Sequence, residues 1–179
     1  MKTLIIIVIV TIVGLVGYGF VSNSISNAAT TSTSIVSDAN TYAYSISGEV
    51  MKEGTYVLPS GATMYDLLTA AGGVSNNADT LAYDTSFVLR QSDKSYYIAP
   101  QVDVSDTCTT EKIAKVNINK ADAETIHEVS GLSSSLSNAL VAFRASTFFG
   151  ALEMVKDVSG IGPATYLAIR NKITLFSAE

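Results

Sequence analysis

The stretch VSGIGPATYLAIR, residues 158–170, places Gly-Ile-Gly directly before a predicted helix. Two glycines let the backbone approach a ligand closely, and the amides at a helix N-terminus point towards an anion such as phosphate. Pro163 suits the first turn of that helix, where its missing N–H costs nothing. The alternative is a tight turn between packed helices with Ile161 in the core. The tripeptide alone favours this alternative.

A related unit precedes this stretch. Residues 129–144 read VSGLSSSLSNALVAFR, and Gly160 follows Gly131 at an offset of 29 positions (160 − 131). This first copy has Ser133 where the second glycine would stand. Asp122 is a predicted N-cap for a short helix before the first turn. The pattern predicts two consecutive helical hairpins, an all-α domain over residues 116–179.

The part before the hairpins reads as a small α+β unit. Residues 42–50, YAYSISGEV, alternate and are rich in strand-forming residues, and TYVL resumes after a turn. Thr63 is a predicted N-cap for a helix over residues 64–71, which Gly72 and Gly73 end. SFVL and SYYIA flank RQSDK, which predicts a β-hairpin. We place this domain at residues 42–100, followed by a linker at residues 101–115.

The N-terminus is strongly apolar. Residues 4–21 carry no charge, and as a helix they would span roughly 27 Å, about the thickness of a bilayer's hydrocarbon core. A cleaved signal peptide ending near residues 26–28 is the alternative, but the apolar run is longer than a usual signal core. We therefore expect a transmembrane anchor at residues 1–21 and a flexible linker at residues 22–41. Lys2 predicts a single-pass membrane protein with a cytoplasmic N-terminus and the rest outside.

The net charge of −5 is unevenly distributed. Residues 22–111 hold three basic and ten acidic residues, a balance of −7, whereas residues 112–179 hold seven and six, a balance of +1. If either part meets a polyanion, it is the C-terminal one. Cys108 is the single cysteine, which excludes an intrachain disulfide and leaves a bridge between two copies or a spare thiol in the linker.

The sequence gives no sign of catalysis. His127 is the single histidine and is expected on the surface, and no cysteine and histidine cluster has metal-ligand spacing. The serines at 133–135 have no partner histidine placed by the sequence. We therefore expect no enzyme activity, no metal and no cofactor.

Residues 45–100 resemble the SLBB module, a soluble-ligand-binding β-grasp domain. The matching features are Gly48-Glu49-Val50, Gly54-Thr55-Tyr56, Ala70-Ala71-Gly72-Gly73 and Tyr97-Ile98-Ala99-Pro100. Glu53 stands where the family usually has proline, and Asp93-Lys94 where it usually has Asp-Gly. The resemblance implies a β-grasp fold for this domain.

Residues 116–175 resemble the tandem helix-hairpin-helix of ComEA-type competence proteins. The matching residues are Asn117, Ile118, Asn119, Ala121, Gly131, Phe143, Arg144, Phe149, Leu152, Val158, Gly160, Gly162, Ile169 and Ile173. The resemblance implies a membrane-anchored receptor that captures double-stranded DNA outside the cell, without sequence specificity, for uptake in natural transformation. It implies as further partners a DNA-translocation channel protein and, through the β-grasp domain, further copies of this chain.

The resemblance also implies which residues bind DNA phosphate. They are Gly160, Ile161, Gly162, Ala164, Thr165, Arg170 and Lys172, with Gly131, Ser133 and Ser135 as a weaker, mainly structural first hairpin. Positions that are often basic in the family are Leu136, Ala164 and Ala168 here. Each missing cation lowers the number of counterions that binding releases, so we expect weak binding. Because the remaining contacts are with phosphate, we expect this binding to fall steeply with salt.

Two alternatives remain beside the DNA receptor. The hairpins could serve protein packing only, as in an extrinsic photosystem subunit, which predicts an apolar patch around Leu132 and Leu136. The β-grasp domain could instead lead a glycan- or ligand-associated scaffold, as this module does in polysaccharide export proteins. That hypothesis predicts an exposed aromatic pair on the surface of the domain. The specific match over residues 116–175 favours the DNA receptor.

Overall fold

The computed structural model of the chain describes residues 40–103 and 111–177. The predicted anchor, nearly all of the linker that follows it, and Cys108 lie outside these residues. Within the described ranges, no helix is both long and apolar enough to cross a bilayer. The described residues belong to one compact unit that begins at Asn40. We call residues 40–103 the sheet half and residues 111–177 the hairpin half.

The sheet half contains a three-stranded sheet in the order β2-β1-β3. Strands β1 (Thr41–Gly48) and β2 (Gly54–Pro59) are antiparallel, whereas β3 (Ser95–Ile98) is parallel to β1. Alternate residues of β1 and β3 point into the core, and Tyr44 and Tyr96 are 1% and 0% exposed. The mixed α+β class predicted for the chain is confirmed at this level.

Helix α1 (Met64–Ala70) lies between β2 and β3 in the chain. The predicted N-cap is confirmed, because Thr63 and Asp66 form a reciprocal capping box. The Thr63 N–H and hydroxyl both donate to the Asp66 carboxylate at 2.8 Å. These bonds, the backbone one first, lower the pKa of Asp66. Helix α1 buries Met64, Leu67 and Leu68.

The predicted hairpin around residues 90–94 is wrong. Val88 forms only an isolated bridge with Thr63, and β3 pairs with β1 instead of with the chain before it. Arg90 and Asp93 turn the chain through an ion pair and a bond from the Asp93 N–H to the Arg90 carbonyl at 3.1 Å. Paired with the central strand β1, β3 places Tyr96 in the core, where it is 0% exposed.

The hairpin half consists of short helices between two short strands that pair in parallel. Their bounds are β6 (Val116–Asn117), α2 (Ala123–Ser130), α3 (Ser134–Arg144), a 3₁₀ helix (Leu152–Asp157), α4 (Pro163–Ile169) and β7 (Ile173–Thr174). Strands β6 and β7 pair in parallel and bring the two ends of the half together. Before them, β4 (Val102–Asp103) pairs with β5 (Glu111–Lys112) in the segment predicted as a linker. The predicted domain boundaries stay predictions.

Local signals account for the first hairpin. Asp122 caps α2 by accepting a hydrogen bond from the Thr125 N–H at 2.8 Å, as predicted. Gly131 ends α2 in the left-handed region with a φ of 80°, which glycine adopts without strain. Ile126 of α2 and Leu140 of α3 are both 0% exposed and fix the two helices against the core. After the first hairpin, residues 152–157 form the 3₁₀ helix.

The two halves contact each other through polar and apolar groups. The Leu81 carbonyl accepts bonds from the Leu175 and Phe176 N–H groups at 2.9 and 3.1 Å. Lys115 forms an ion pair with Asp79 at 2.5 Å across the same junction. These contacts join the sheet half to the hairpin half within the compact unit.

A buried carboxylate lies at the centre of this junction. Glu153, in the 3₁₀ helix, is 2% exposed. Its Oε1 accepts hydrogen bonds from the Tyr97 N–H of β3 and from the Tyr166 hydroxyl of α4, both at 2.8 Å. Burial raises the pKa of Glu153 to about 7, although these bonds and the nearby Lys156 act in the opposite direction. Glu153 therefore links both halves through one side chain.

Candidate nucleic-acid interface

In the second hairpin turn, Gly160 and Ile161 have a structural role, whereas Gly162 keeps the backbone accessible. Gly160 has a φ of +90°, a conformation that favours glycine. A Cβ there would also lie 2.8 Å from Leu136 Cδ2, whose flexible end can rotate, so the φ is the stricter requirement. Ile161 is 3% exposed, and its N–H donates to the Val158 carbonyl at 3.0 Å. Gly162 has open space where a Cβ would stand. Gly160 and Ile161 therefore build the turn, and Gly162 leaves the backbone accessible.

The start of α4 has unpaired backbone donors. Gly162 is the N-cap and provides no side-chain hydrogen bond, and Pro163 carries no N–H. Among the described residues, the N–H groups of Ala164 and Thr165 have no hydrogen-bond acceptor. Orphan donors at a helix start are commonly satisfied by a capping side chain, water or an anion. The turn can therefore offer two amides to a phosphate.

The first hairpin satisfies part of its backbone donors internally. The Ser133 hydroxyl caps α3 by accepting a bond from the Leu136 N–H at 3.3 Å. The Leu132 N–H donates to the Ser130 hydroxyl at 3.2 Å, and the Leu132 carbonyl lies 2.5 Å from His127 Nδ1. Ser135 is exposed in the first turn of α3. The Ser133 hydroxyl thus takes up the Leu136 N–H, whose counterpart in the second hairpin, the Thr165 N–H, has no acceptor; the Ser134 and Ser135 N–H groups also have no acceptor among the described residues.

The two predicted cations lie just after α4. Lys172 is exposed and has no carboxylate partner among the described residues. Arg170 is half-buried, and its guanidinium carbon lies 3.6 Å from the centre of the Tyr97 ring. Two other basic residues of the hairpin half are engaged elsewhere, because Lys156 approaches Asp93 at 3.6 Å and Arg144 donates to the Ile118 carbonyl at 2.9 Å.

Helix α4 itself contributes no positive charge. Ala164, Leu167 and Ala168 are exposed on it, and Leu167 is 56% exposed. Around α4, the groups that can attract an anion are therefore the two amides, Arg170 and Lys172. The structure brings the predicted residues of the second hairpin together along this short helix and the turns at its two ends.

Comparison with known proteins agrees with this geometry. Residues 111–174 match the family described as helix-hairpin-helix motif. The chain is also similar to ComE operon protein 1 of Bacillus subtilis (strain 168). The two are 29% identical over 139 residues, which cover 73% of this chain and 68% of that protein.

Sequence reasoning missed two residues, Tyr97 outside the helix-hairpin-helix motif and Glu153 within it. Tyr97 was noted as part of the SLBB pattern, yet its ring contacts Arg170 of the motif. Glu153 lies in the apolar run ALEMV, and the sequence does not show that its carboxylate is buried against the sheet half. Its position among apolar residues is the one signal that could have revealed it. In residues 40–103 and 111–177, no cluster of three histidine, cysteine or acidic side chains could hold a metal.

Proposed function

We propose that this protein is a membrane-anchored receptor that binds double-stranded DNA for uptake in natural transformation. The observation that carries the proposal is the helix-hairpin-helix match over residues 111–174, together with the two unpaired amides at the start of α4. The similarity to ComE operon protein 1 over 139 residues supports the same role.

The second hairpin provides the DNA contact. A phosphate at Gly162 would accept hydrogen bonds from the Ala164 and Thr165 amides, and the missing side chain lets the backbone approach it. Arg170 and Lys172 add positive charge at the other end of α4. These groups contact phosphate and not base edges, so binding is independent of sequence. The first hairpin, with Gly131, Ser133 and Ser135, supports the second and binds weakly.

The anchor places this site outside the cell. Residues 1–21 span the membrane with the N-terminus in the cytoplasm, and residues 22–41 form the tether. The sheet half is an SLBB-type β-grasp domain, which the parallel pairing of β1 with β3 and the intervening α1 support. Because one site is weak, several copies joined through this domain gain avidity on one DNA molecule. The bound DNA passes to a channel protein in the same membrane.

One observation favours a second candidate, a protein-packing role for the hairpins. The exposed face of α4 is apolar, with Leu167 56% exposed. The patch expected around Leu132 and Leu136 is not exposed, since Leu132 is 2% exposed and Leu136 packs near Gly160. The glycan scaffold gains no such support, because Tyr96 is buried and Tyr97 lies against Arg170.

A salt titration of DNA binding tests the proposal. The full chain, held in a mild detergent because of its apolar N-terminus, is titrated against labelled duplexes of two unrelated sequences by fluorescence anisotropy. If Arg170 and Lys172 each neutralise one phosphate, the plot of log K against log salt should have a slope of about −1.8. Binding should then be roughly tenfold weaker at 200 mM salt than at about 50 mM. Both duplexes should bind alike. An absence of binding at low salt would refute the DNA role and leave the packing role.

A further inference from the structure

The contact between Arg170 and Tyr97 connects the two halves at the proposed DNA site. Arg170 directly follows α4, whereas Tyr97 belongs to β3 of the sheet half. The guanidinium carbon lies 3.6 Å from the ring centre, which is the distance of a flat stacking contact. The principal cation of the second hairpin therefore lies against the neighbouring half.

Tyr97 is a rigid support for this contact. Its hydroxyl donates to Asn171 Oδ1 at 2.8 Å, and its N–H donates to Glu153 Oε1 at 2.8 Å. One edge of the ring is close to Gly48, where an added Cβ would lie 2.7 Å from Tyr97 Cε2. Burial raises the pKa of Tyr97, so its hydroxyl stays protonated as the donor to Asn171. The hydroxyl bond and the contact near Gly48 thus restrict the ring, and the N–H bond holds the Tyr97 backbone.

The guanidinium is held without losing its hydrogen-bonding capacity. Stacking uses the face of the group and leaves its N–H donors at the edge. Among the described residues, none accepts a hydrogen bond from the Arg170 side chain, and none forms an ion pair with it. Glu49 and Glu53 are near enough to raise the pKa of Tyr97, but neither bonds to Arg170. An ordered arginine with free donors can bind phosphate at a small entropic cost.

We propose that Tyr97 is a positioning residue for DNA binding, which holds the Arg170 guanidinium flat so that its N–H edge meets a phosphate. The sheet half then strengthens DNA binding without contacting DNA, which its acidic character would oppose. The inference rests on the proposed DNA-binding function. It assigns a role to a residue outside the helix-hairpin-helix motif.

The test compares variants that act on the same contact. The full chain in detergent is titrated with labelled duplex DNA at several salt concentrations, using the wild type, Tyr97→Phe, Tyr97→Leu, Arg170→Gln and the Tyr97→Leu/Arg170→Gln double variant. Arg170→Gln should lower the salt slope by about 0.9. Tyr97→Leu should lower it equally although it removes no charge, and should weaken binding about fivefold. Tyr97→Phe keeps the ring and should bind nearly as the wild type does.

The double variant separates positioning from general damage. If Tyr97 acts through Arg170, Tyr97→Leu adds no further loss in the Arg170→Gln background. An additive loss, or an unchanged salt slope in Tyr97→Leu, would overturn the inference while the DNA function stands. A wild type that does not bind DNA would overturn both.

One further variant covers the case in which Tyr97→Leu does not fold. Arg170→Lys keeps the charge but lacks the planar group that stacks on the ring. It should bind more weakly than the wild type if the stacked geometry matters, although less weakly than Arg170→Gln because it keeps the charge. Binding of Arg170→Lys at the wild-type level would refute the positioning role.

Discussion

The buried Glu153 makes the stability of the junction depend on pH. Glu153 is 2% exposed, and burial raises its pKa from 4.5 to about 7. The folded protein therefore binds this proton more tightly than the unfolded chain does. The resulting stabilisation is fully present below pH 4.5 and is lost as the pH rises through 7. Ionisation of the buried Glu153 carboxyl therefore destabilises the folded protein.

The magnitude follows from the difference between the two pKa values. About 2.5 pKa units (7 − 4.5), at about 1.4 kcal/mol each, give roughly 3 kcal/mol between pH 4 and pH 9. Glu153→Gln cannot ionise, and its amide oxygen can still accept the bonds from Tyr97 and Tyr166. The free energy of unfolding of this variant, relative to the wild type, should therefore rise by roughly 3 kcal/mol over the same pH interval.

Urea unfolding followed by far-UV circular dichroism at several pH values measures this difference directly. Taking the difference between the two proteins cancels the carboxylates that they share. Glu128→Gln, at an exposed position of α2, is the control for removal of a surface carboxylate, and its curve should run parallel to that of the wild type. Parallel curves for Glu153→Gln and the wild type between pH 5 and pH 8 would refute the assignment of Glu153 as a buried, protonated link.

Other predictions concern the two hairpin turns. Gly160→Ala should lower the free energy of unfolding by about 1–2 kcal/mol, because residue 160 has a φ of +90°. Gly162→Ala should lower it by less than about 1 kcal/mol, because residue 162 has open space and a φ of −85°. Equal urea midpoints for the two variants would contradict this. Ser133→Ala removes the cap of α3 and should cost about 1 kcal/mol without changing DNA affinity, and a clear loss of affinity would assign DNA binding to the first hairpin.

The features that the sequence predicts well are local. Thr63 and Asp122 cap their helices through bonds to residues three positions later, so a short stretch contains the whole signal. The pairing of β3 with β1 depends on what the distant strand buries, and the local hairpin pattern was misleading. Likewise, the Gly-Ile-Gly turn is visible in the sequence, but the contact of Arg170 with Tyr97 arises only when the two halves pack together.

The central claim is that the second hairpin binds DNA phosphate, and one pair of variants tests it most directly. Gly162→Glu places a carboxylate in open space at the start of α4. Ser134→Glu places the same charge at the start of α3, where residue 134 is exposed. Circular dichroism would first establish that both variants keep their helices.

Duplex DNA binding of both variants is then measured at low salt by anisotropy. We expect Gly162→Glu to bind at least about tenfold more weakly than the wild type, because its charge would lie beside the bound phosphate. Ser134→Glu should weaken binding much less than Gly162→Glu does, since the first hairpin contributes only weakly to DNA binding. Equal effects of the two substitutions, or wild-type binding by Gly162→Glu, would contradict the assignment of the site to the second hairpin.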